Sequence, residues 1–270
     1  MDLQLEGKVA LVTGAGQYMG RAMAIDLAAE GARVAVNDIV ADKADAVVAE
    51  IAERGGTAIP AVADVTDREA IDALVASIGD ELGPVDILVN NAGLPVPQDE
   101  GDTMASRTAN LFVDSDPEWW KRWVDINYFG TLNCSRAVLE GMRERQTGRI
   151  INIVSDAARI GEPRQAVYAG AKAGIVGFSK SIAREMGRYG ITVNCISLGA
   201  VLHKEWVEDA TPEAEERRRK ALRVYPLGRA LNRFGVPEDA SYAVVLFASP
   251  RAEWITGQVL SVSGGFTTVG

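Results

Sequence analysis

The chain has 270 residues, 47% of them hydrophobic and 24% charged, which suits one globular domain with a large buried core. Its formal net charge of −9 argues against nucleic acid as the main partner, because a phosphate backbone needs a basic face. One histidine and two cysteines without ligand spacing leave no metal site. No apolar run approaches the roughly 20 residues that cross a bilayer, and the N-terminus is acidic where a signal peptide is basic, so a soluble cytoplasmic protein with no membrane partner is expected.

In chain order, short β-branched runs alternate with longer helix-like stretches. VALVT (9–13) reads as a buried strand, and RAMAIDLAAEG after it carries helical spacing and ends on glycine. RVAVND (33–38) is a second strand, followed by the helix ADKADAVVAEIAERGG. TAIPAVADV (57–65) is a third, followed by DREAIDALVASIGDELG with Asp67 near its start. VDILVNNAG (85–93) is a fourth. The segment 94–117 is polar with weak periodicity. One helix is then expected from about Glu118 through Asn127 to Glu144. GRIINIVS (148–155), the helix AVYAGAKAGIVGFSKSIAREMG, ITVNCIS (191–197), a charged helix-prone stretch over 200–238, the helix EDASYAVVLFAS and the strand GQVLSVSGG (257–265) complete the chain. Nearly continuous apolar strands alternating with helices mean an α/β fold: a doubly wound, seven-stranded parallel sheet with helices on both faces, in a single domain. Ligands of such sheets bind at the carboxyl ends of the strands.

Gly14, Gly16 and Gly20 of TGAGQYMG lie between the first strand and the first helix. The helix N-terminus there offers unpaired N–H groups and a positive dipole end to a pyrophosphate. Without a ligand the same glycines make an ordinary tight turn. Asp38 ends the second strand about 20 residues on. Its carboxylate either accepts from the ribose hydroxyls of NAD and repels the extra phosphate of NADP, or caps the next helix. Gln17 and Ile39 beside it bring no positive charge for that phosphate. Asp64, Asn90, Asn91 and Gly93 end the third and fourth strands at the same sheet edge. Tyr168 and Lys172 stand four apart on one helix face, and Ser155 ends the strand before. A neighbouring ammonium is expected to lower the tyrosine pKa, and the serine to hold the substrate oxygen, which makes a proton-transfer site for a carbonyl/alcohol pair.

Together these residues resemble the short-chain dehydrogenases/reductases. The resemblance runs nearly end to end, through TGAGQYMG, Asp38, ADV (63–65), NNAG (90–93), Asn127 in DINYFG, Ser155 thirteen residues before the tyrosine of YAGAK (168–172), ISLG (196–199) and ITGQVLSVSGG. It implies a catalytic set of Asn127, Ser155, Tyr168 and Lys172. Tyr168 is then the acid/base, Ser155 polarises the substrate oxygen, Lys172 holds the nicotinamide ribose and Asn127 keeps a water in a proton relay. It implies NAD contacts at Gly14, Gln17, Tyr18, Met19, Gly20, Asp38, Ile39, Asp64, Val65, Asn91, Ala92, Gly93, Tyr168, Lys172, Gly199 and Val201. It also implies a homotetramer or homodimer. The expected activity is NAD-dependent interconversion of a secondary alcohol and its ketone. A 3-oxoacyl-thioester reductase and a nucleotide-sensing or scaffold protein on the same fold stand as alternatives.

The sequence departs from the family pattern TGxxxGxG at Tyr18. Negative φ is expected there, as at any helix start, with the ring either lining the cleft or packing outward. Leu198 replaces a proline, so a more adaptable loop is expected after the sixth strand. The lone His203 stands near a usual carboxamide contact, or is a surface residue. Ser263 replaces a frequent aspartate. The segment 94–117 is longer than the family pattern and reads as a lid edge, a subunit contact or an unstructured insertion. The substrate lid is expected over 200–226, with Trp206 and Val207 in the pocket. RRRK (217–220) either meets a phosphate-bearing substrate or forms a solvated helix face next to Glu213, Glu215 and Glu216.

Overall fold

The computed structural model describes residues 2–93, 111–201 and 211–268. Seven parallel strands form one sheet in the order β3-β2-β1-β4-β5-β6-β7. They are β1 Val9–Val12, β2 Arg33–Asp38, β3 Thr57–Val62, β4 Ile87–Asn90, β5 Gly148–Ser155, β6 Ile191–Leu198 and β7 Val259–Val262. The helices are α1 Tyr18–Ala29, α2 Ala41–Glu53, α3 Arg68–Glu81, α4 Pro117–Val124, α5 Gly130–Arg145, α6 Ala157–Ile160, α7 Ala166–Met186, α8 Pro212–Leu222, α9 Pro226–Leu231 and α10 Pro237–Ala248. The doubly wound architecture is the expected one. Among the described residues no helix is long and apolar enough to cross a membrane.

The two-residue period of the strands divides the core between the two faces. Ala10 and Val12 of β1, with Val34 and Val36 of β2, pack against Met23 and Leu27 of α1 and Val244 of α10. Val9, Leu11 and Ala35 face the other way, onto Ile71 and Ile78 of α3 and Val138 of α5. Both faces of the central strands are therefore apolar, which is why they read as unbroken hydrophobic runs. Pro60 is tolerated because β3 is an edge strand, paired only with β2.

Several strands are shorter than the sequence suggests, because polar residues at their ends turn away into side-chain bonds. Asp64, expected within the third strand, accepts from Thr66 N and Thr66 Oγ1 at 2.8 Å each, and this local turn ends the strand early. The single helix expected over 118–144 is found, running without a break from Pro117 to Arg145. Asp116 caps it by accepting from Glu118 N at 3.0 Å. A π-helical turn, Asp125–Phe129, lies within it and joins α4 to α5. Leu198 extends β6 by one residue beyond the expected strand, and the loop expected to be more adaptable falls mostly on 202–210, outside the described residues. Leu198 is in register with Ser155 and Val262, and its carbonyl accepts from Asp156 N at 2.9 Å. A proline there could not have completed a two-sided strand.

Candidate active site

Strand order reverses between β1 and β4, and a cavity of about 550 Å³ opens there at the carboxyl edge of the sheet. Gly14, Gln17, Tyr18, Met19, Gly20, Asp38, Ile39, Asp64, Val65, Asn91, Ala92 and Gly93, all expected at the cofactor, line this one cavity. The sequence reading missed Lys43 on α2 and Arg122 on α4, which line it too. No local pattern marks them, because only the packing of α2 and α4 brings them in.

The glycine turn is held by its neighbours. Ala15 N donates to Asn37 O at 2.7 Å, and Gly16 N donates to Asp38 Oδ2 at 3.1 Å. Asn91 Nδ2 donates to Thr13 O at 2.9 Å and Gly14 O at 3.1 Å, tying β4 to the turn. Gly20 allows α1 to start against that turn, since a Cβ there would collide with Gly14 O. The i→i−4 ladder of α1 begins with Arg21 N on Gln17 O at 3.1 Å, and Tyr18, Met19 and Gly20 ahead of it all line the cavity. These features fit a dinucleotide pyrophosphate: backbone close to the cavity and a helix N-terminus aimed at it.

Tyr18 corrects one expectation. Its φ is +45°, in the left-handed region that favours glycine. Gln17 before it is extended (φ −160°), so the chain must reverse within one residue to enter α1. The bonds on either side hold the turn in the shape a glycine would take, and the tyrosine adopts it. The residue lines the cavity and is 41% exposed. Asn90 also differs from expectation. It turns away from the strand edge into the helical layer, donating to Asn152 Oδ1 at 2.8 Å and Ser135 Oγ at 3.1 Å.

The second cluster stands at the ends of β5 and α7. Ser155 Oγ accepts from Ala157 N at 3.2 Å and lies near enough to the Tyr168 phenol to oppose the rise of its pKa. Lys172 is buried and donates to Ile153 O at 2.9 Å. Its Nζ lies 6.0 Å from the centre of the Tyr168 ring. Trp123 packs edge-on to Tyr168 at 6.1 Å, and its carbonyl accepts from Asn127 Nδ2 at 3.0 Å. Asn127 is wholly buried in the π-helical turn, and its Oδ1 has no partner among the described residues. The structure therefore brings Ser155, Tyr168 and Lys172 together, and joins Asn127 to them through Trp123.

Electrostatics in this cluster differ from the sequence expectation. Burial pushes Tyr168 above the ordinary tyrosine value. The Ser155 hydroxyl opposes this shift, and the Glu162 carboxylate adds to it. The expected lowering by Lys172 is not found: burial outweighs it at Tyr168 and pushes the pKa of Lys172 itself down to about 8, with one of its three donors on Ile153 O.

Gly199 and Val201 stand beyond β6. Val201 lines a second cavity of about 420 Å³ with Tyr225 and Phe234, and Ala200 N donates to Tyr225 Oη at 3.2 Å. A Cβ at Gly199 would lie 3.0 Å from the Tyr225 ring. His203, Trp206, Val207 and residues 94–110 lie outside the described residues. In the run 217–220, Arg219 and Lys220 both pair with Glu216, the latter at 3.5 Å, as a solvated helix face does.

A family model described as short chain dehydrogenase matches residues 8–213. The chain is 38% identical to a 3-oxoacyl-[acyl-carrier-protein] reductase of Synechocystis sp., with 97% of each chain covered. It is 37% identical to the (2S)-[(R)-hydroxy(phenyl)methyl]succinyl-CoA dehydrogenase subunit BbsD of Thauera aromatica, again over 97% of each chain. A crystal structure of a putative gluconate dehydrogenase from Agrobacterium tumefaciens superposes with a TM-score of 0.86 at 28% identity, over the whole of both chains.

Proposed function

The chain belongs to the short-chain dehydrogenase family, and on that premise we propose that it is an NAD-dependent oxidoreductase interconverting a secondary alcohol and its ketone. The observation that carries this reading is the pairing of an intact Ser155–Tyr168–Lys172–Asn127 cluster with a cavity lined by the glycine turn and Asp38. Bound nicotinamide supplies the hydride acceptor or donor. The protein's part is proton transfer and placement. The Tyr168 phenol donates to the carbonyl oxygen during reduction, and its phenolate takes the hydroxyl proton during oxidation. Ser155 Oγ hydrogen-bonds the same substrate oxygen. Lys172 holds the nicotinamide ribose hydroxyls, and the unpartnered Asn127 Oδ1 keeps a water in line with Lys172. Asp38, with both carboxylate oxygens accepting from backbone amides, is fixed for the adenosine ribose and favours NAD.

The names of the relatives favour a second reading, reduction of a 3-oxoacyl thioester, which the same four residues would serve. Gly170, Ala173 and Gly177 are exposed on α7 and support a close helix contact in a homotetramer. Tyr168→Phe tests the core reading. Turnover with a panel of secondary alcohols, ketones and acyl thioesters should fall by at least about 10³-fold, while NADH binding holds within a few-fold. Equal turnover by the variant would refute Tyr168 as acid/base. The substrate that wild type prefers separates the two readings.

A further inference from the structure

The cavity wall beside Asp38 carries a cation that a strictly NAD-selecting site does not need. Lys43, half-buried on the first turn of α2, lines the cavity, and its Nζ donates to Gln17 Oε1 at 2.8 Å. That bond uses one of three ammonium donors. Among the described residues no carboxylate oxygen lies within 4.0 Å of Lys43 Nζ, whereas Arg21 and Arg54 both pair with Glu50. A neutral amide on the glycine turn thus anchors a cation that makes no direct ion pair among the described residues, with the Asp38 carboxylate close by on the same turn.

Gly16 makes this placement a built one. A Cβ there would lie 2.6 Å from Lys43 Cβ and 2.7 Å from Asp38 Oδ2. Only a residue without a side chain lets the lysine stem and the aspartate close on the turn from two sides. Asp38 meanwhile has Oδ2 on Gly16 N at 3.1 Å and Oδ1 on Val40 N at 3.0 Å, so part of its charge is already answered by backbone.

We propose that Lys43 is a cofactor-selecting residue, placed to receive the 2′-phosphate of NADP and so to give the site a dual NAD/NADP specificity that Asp38 alone would deny. The inference deepens the nicotinamide reading above and rests on it. A lysine suits the task as a compact point charge. Its partial burial limits screening by salt.

The test is a titration of wild type, Lys43→Gln and Lys43→Arg with NADH and with NADPH, followed by tryptophan-to-nicotinamide energy transfer. Adenosine 2′,5′-bisphosphate and 5′-AMP serve as competitors, and thermal melting checks folding. Wild type should bind both cofactors. Lys43→Gln should weaken NADPH and the 2′,5′-bisphosphate by about tenfold or more, with NADH and 5′-AMP changed by less than about twofold. Lys43→Arg should keep NADPH within a few-fold, and it carries the test if the glutamine variant does not fold. Equal weakening of both cofactors by Lys43→Gln would make the lysine a mere support of Gln17 and overturn the proposal. Unchanged NADPH binding would overturn it too. Wild type binding NADH but not NADPH refutes the dual specificity alone, whereas wild type binding neither refutes the nicotinamide reading as well.

Discussion

The left-handed backbone at Tyr18 makes a prediction whose sign is unusual. In a helix, alanine is ordinarily more stable than glycine by about 0.5–1 kcal/mol. Tyr18 is the first residue of α1, with φ +45°. Tyr18→Ala and Tyr18→Gly both remove the ring, so their difference isolates the backbone. At left-handed φ a Cβ costs about 1–2 kcal/mol, which only the glycine variant relieves. Against this, glycine adds unfolded-state freedom worth about 0.4–1 kcal/mol. The glycine variant should therefore be the more stable by roughly 1 kcal/mol, or about 2–4 °C in melting temperature for a chain of this size. Urea unfolding of the two variants, with equal m-values as the control, measures it. An alanine variant as stable as the glycine variant, or more so, would refute the strain argument. It would mean that the turn relaxes to ordinary helical φ once the ring is gone.

Two further outcomes follow from the cluster around Tyr168 and Lys172. Lys172 has its pKa pushed by burial from 10.5 to about 8, so between those values the unfolded chain binds a proton that the folded chain does not. Lys172 thus contributes stability that rises with pH from 8 toward 10, by up to about 1.4 kcal/mol per pH unit. Buried Cys134 and Cys195, pushed up to about 12 and about 11, pull the other way above pH 9, and Cys195 more so once the Lys172 charge that lowers it is removed. The readout is therefore the stability of wild type minus that of Lys172→Met, from urea midpoints at pH 8 and 9.5; a difference that does not grow with pH contradicts the buried ammonium. Glu162 raises the Tyr168 pKa through its charge, so Glu162→Gln should move the alkaline rise of alcohol oxidation to lower pH. An unmoved pH–rate profile would show that the carboxylate does not reach the phenol's field.

What could be read in advance, and what could not, follows the range of the interactions involved. The sheet was legible because each central strand is buried on both faces, so its residues are apolar whatever they pack against. Asn91, Asp38 and the glycines were legible because strand ends and the first helix turn are fixed by local sequence. The π-helical turn at Asp125–Phe129 was not, since nothing in the local composition marks it within a continuous helix. Asn127 sits in that turn, donates to the Trp123 carbonyl, and has an unpartnered Oδ1 among the described residues. The direction of the Tyr168 shift was hidden for a different reason. Four-residue spacing puts Lys172 on the same helix face, but the ammonium's partner is a carbonyl of β5 that only the fold supplies.

The glycine turn brings these two kinds of information into contact. Counted along the motif, the chain has a tyrosine where a glycine is expected and a glycine at a position the pattern leaves free. In three dimensions the two departures have separate causes. At residue 18 the requirement is conformational, and the tyrosine meets it under strain, since φ stays at +45° with a Cβ present. At residue 16 the requirement is space, because Lys43 and Asp38 occupy the volume a side chain would need. Moving the glycine back, as Tyr18→Gly with Gly16→Ala, would satisfy the family pattern and still disturb the cavity: it would relieve the strained backbone while driving apart Lys43 and Asp38, which both line it. The motif as written therefore records how this chain arranges backbone and charge around the cavity at the strand-order reversal.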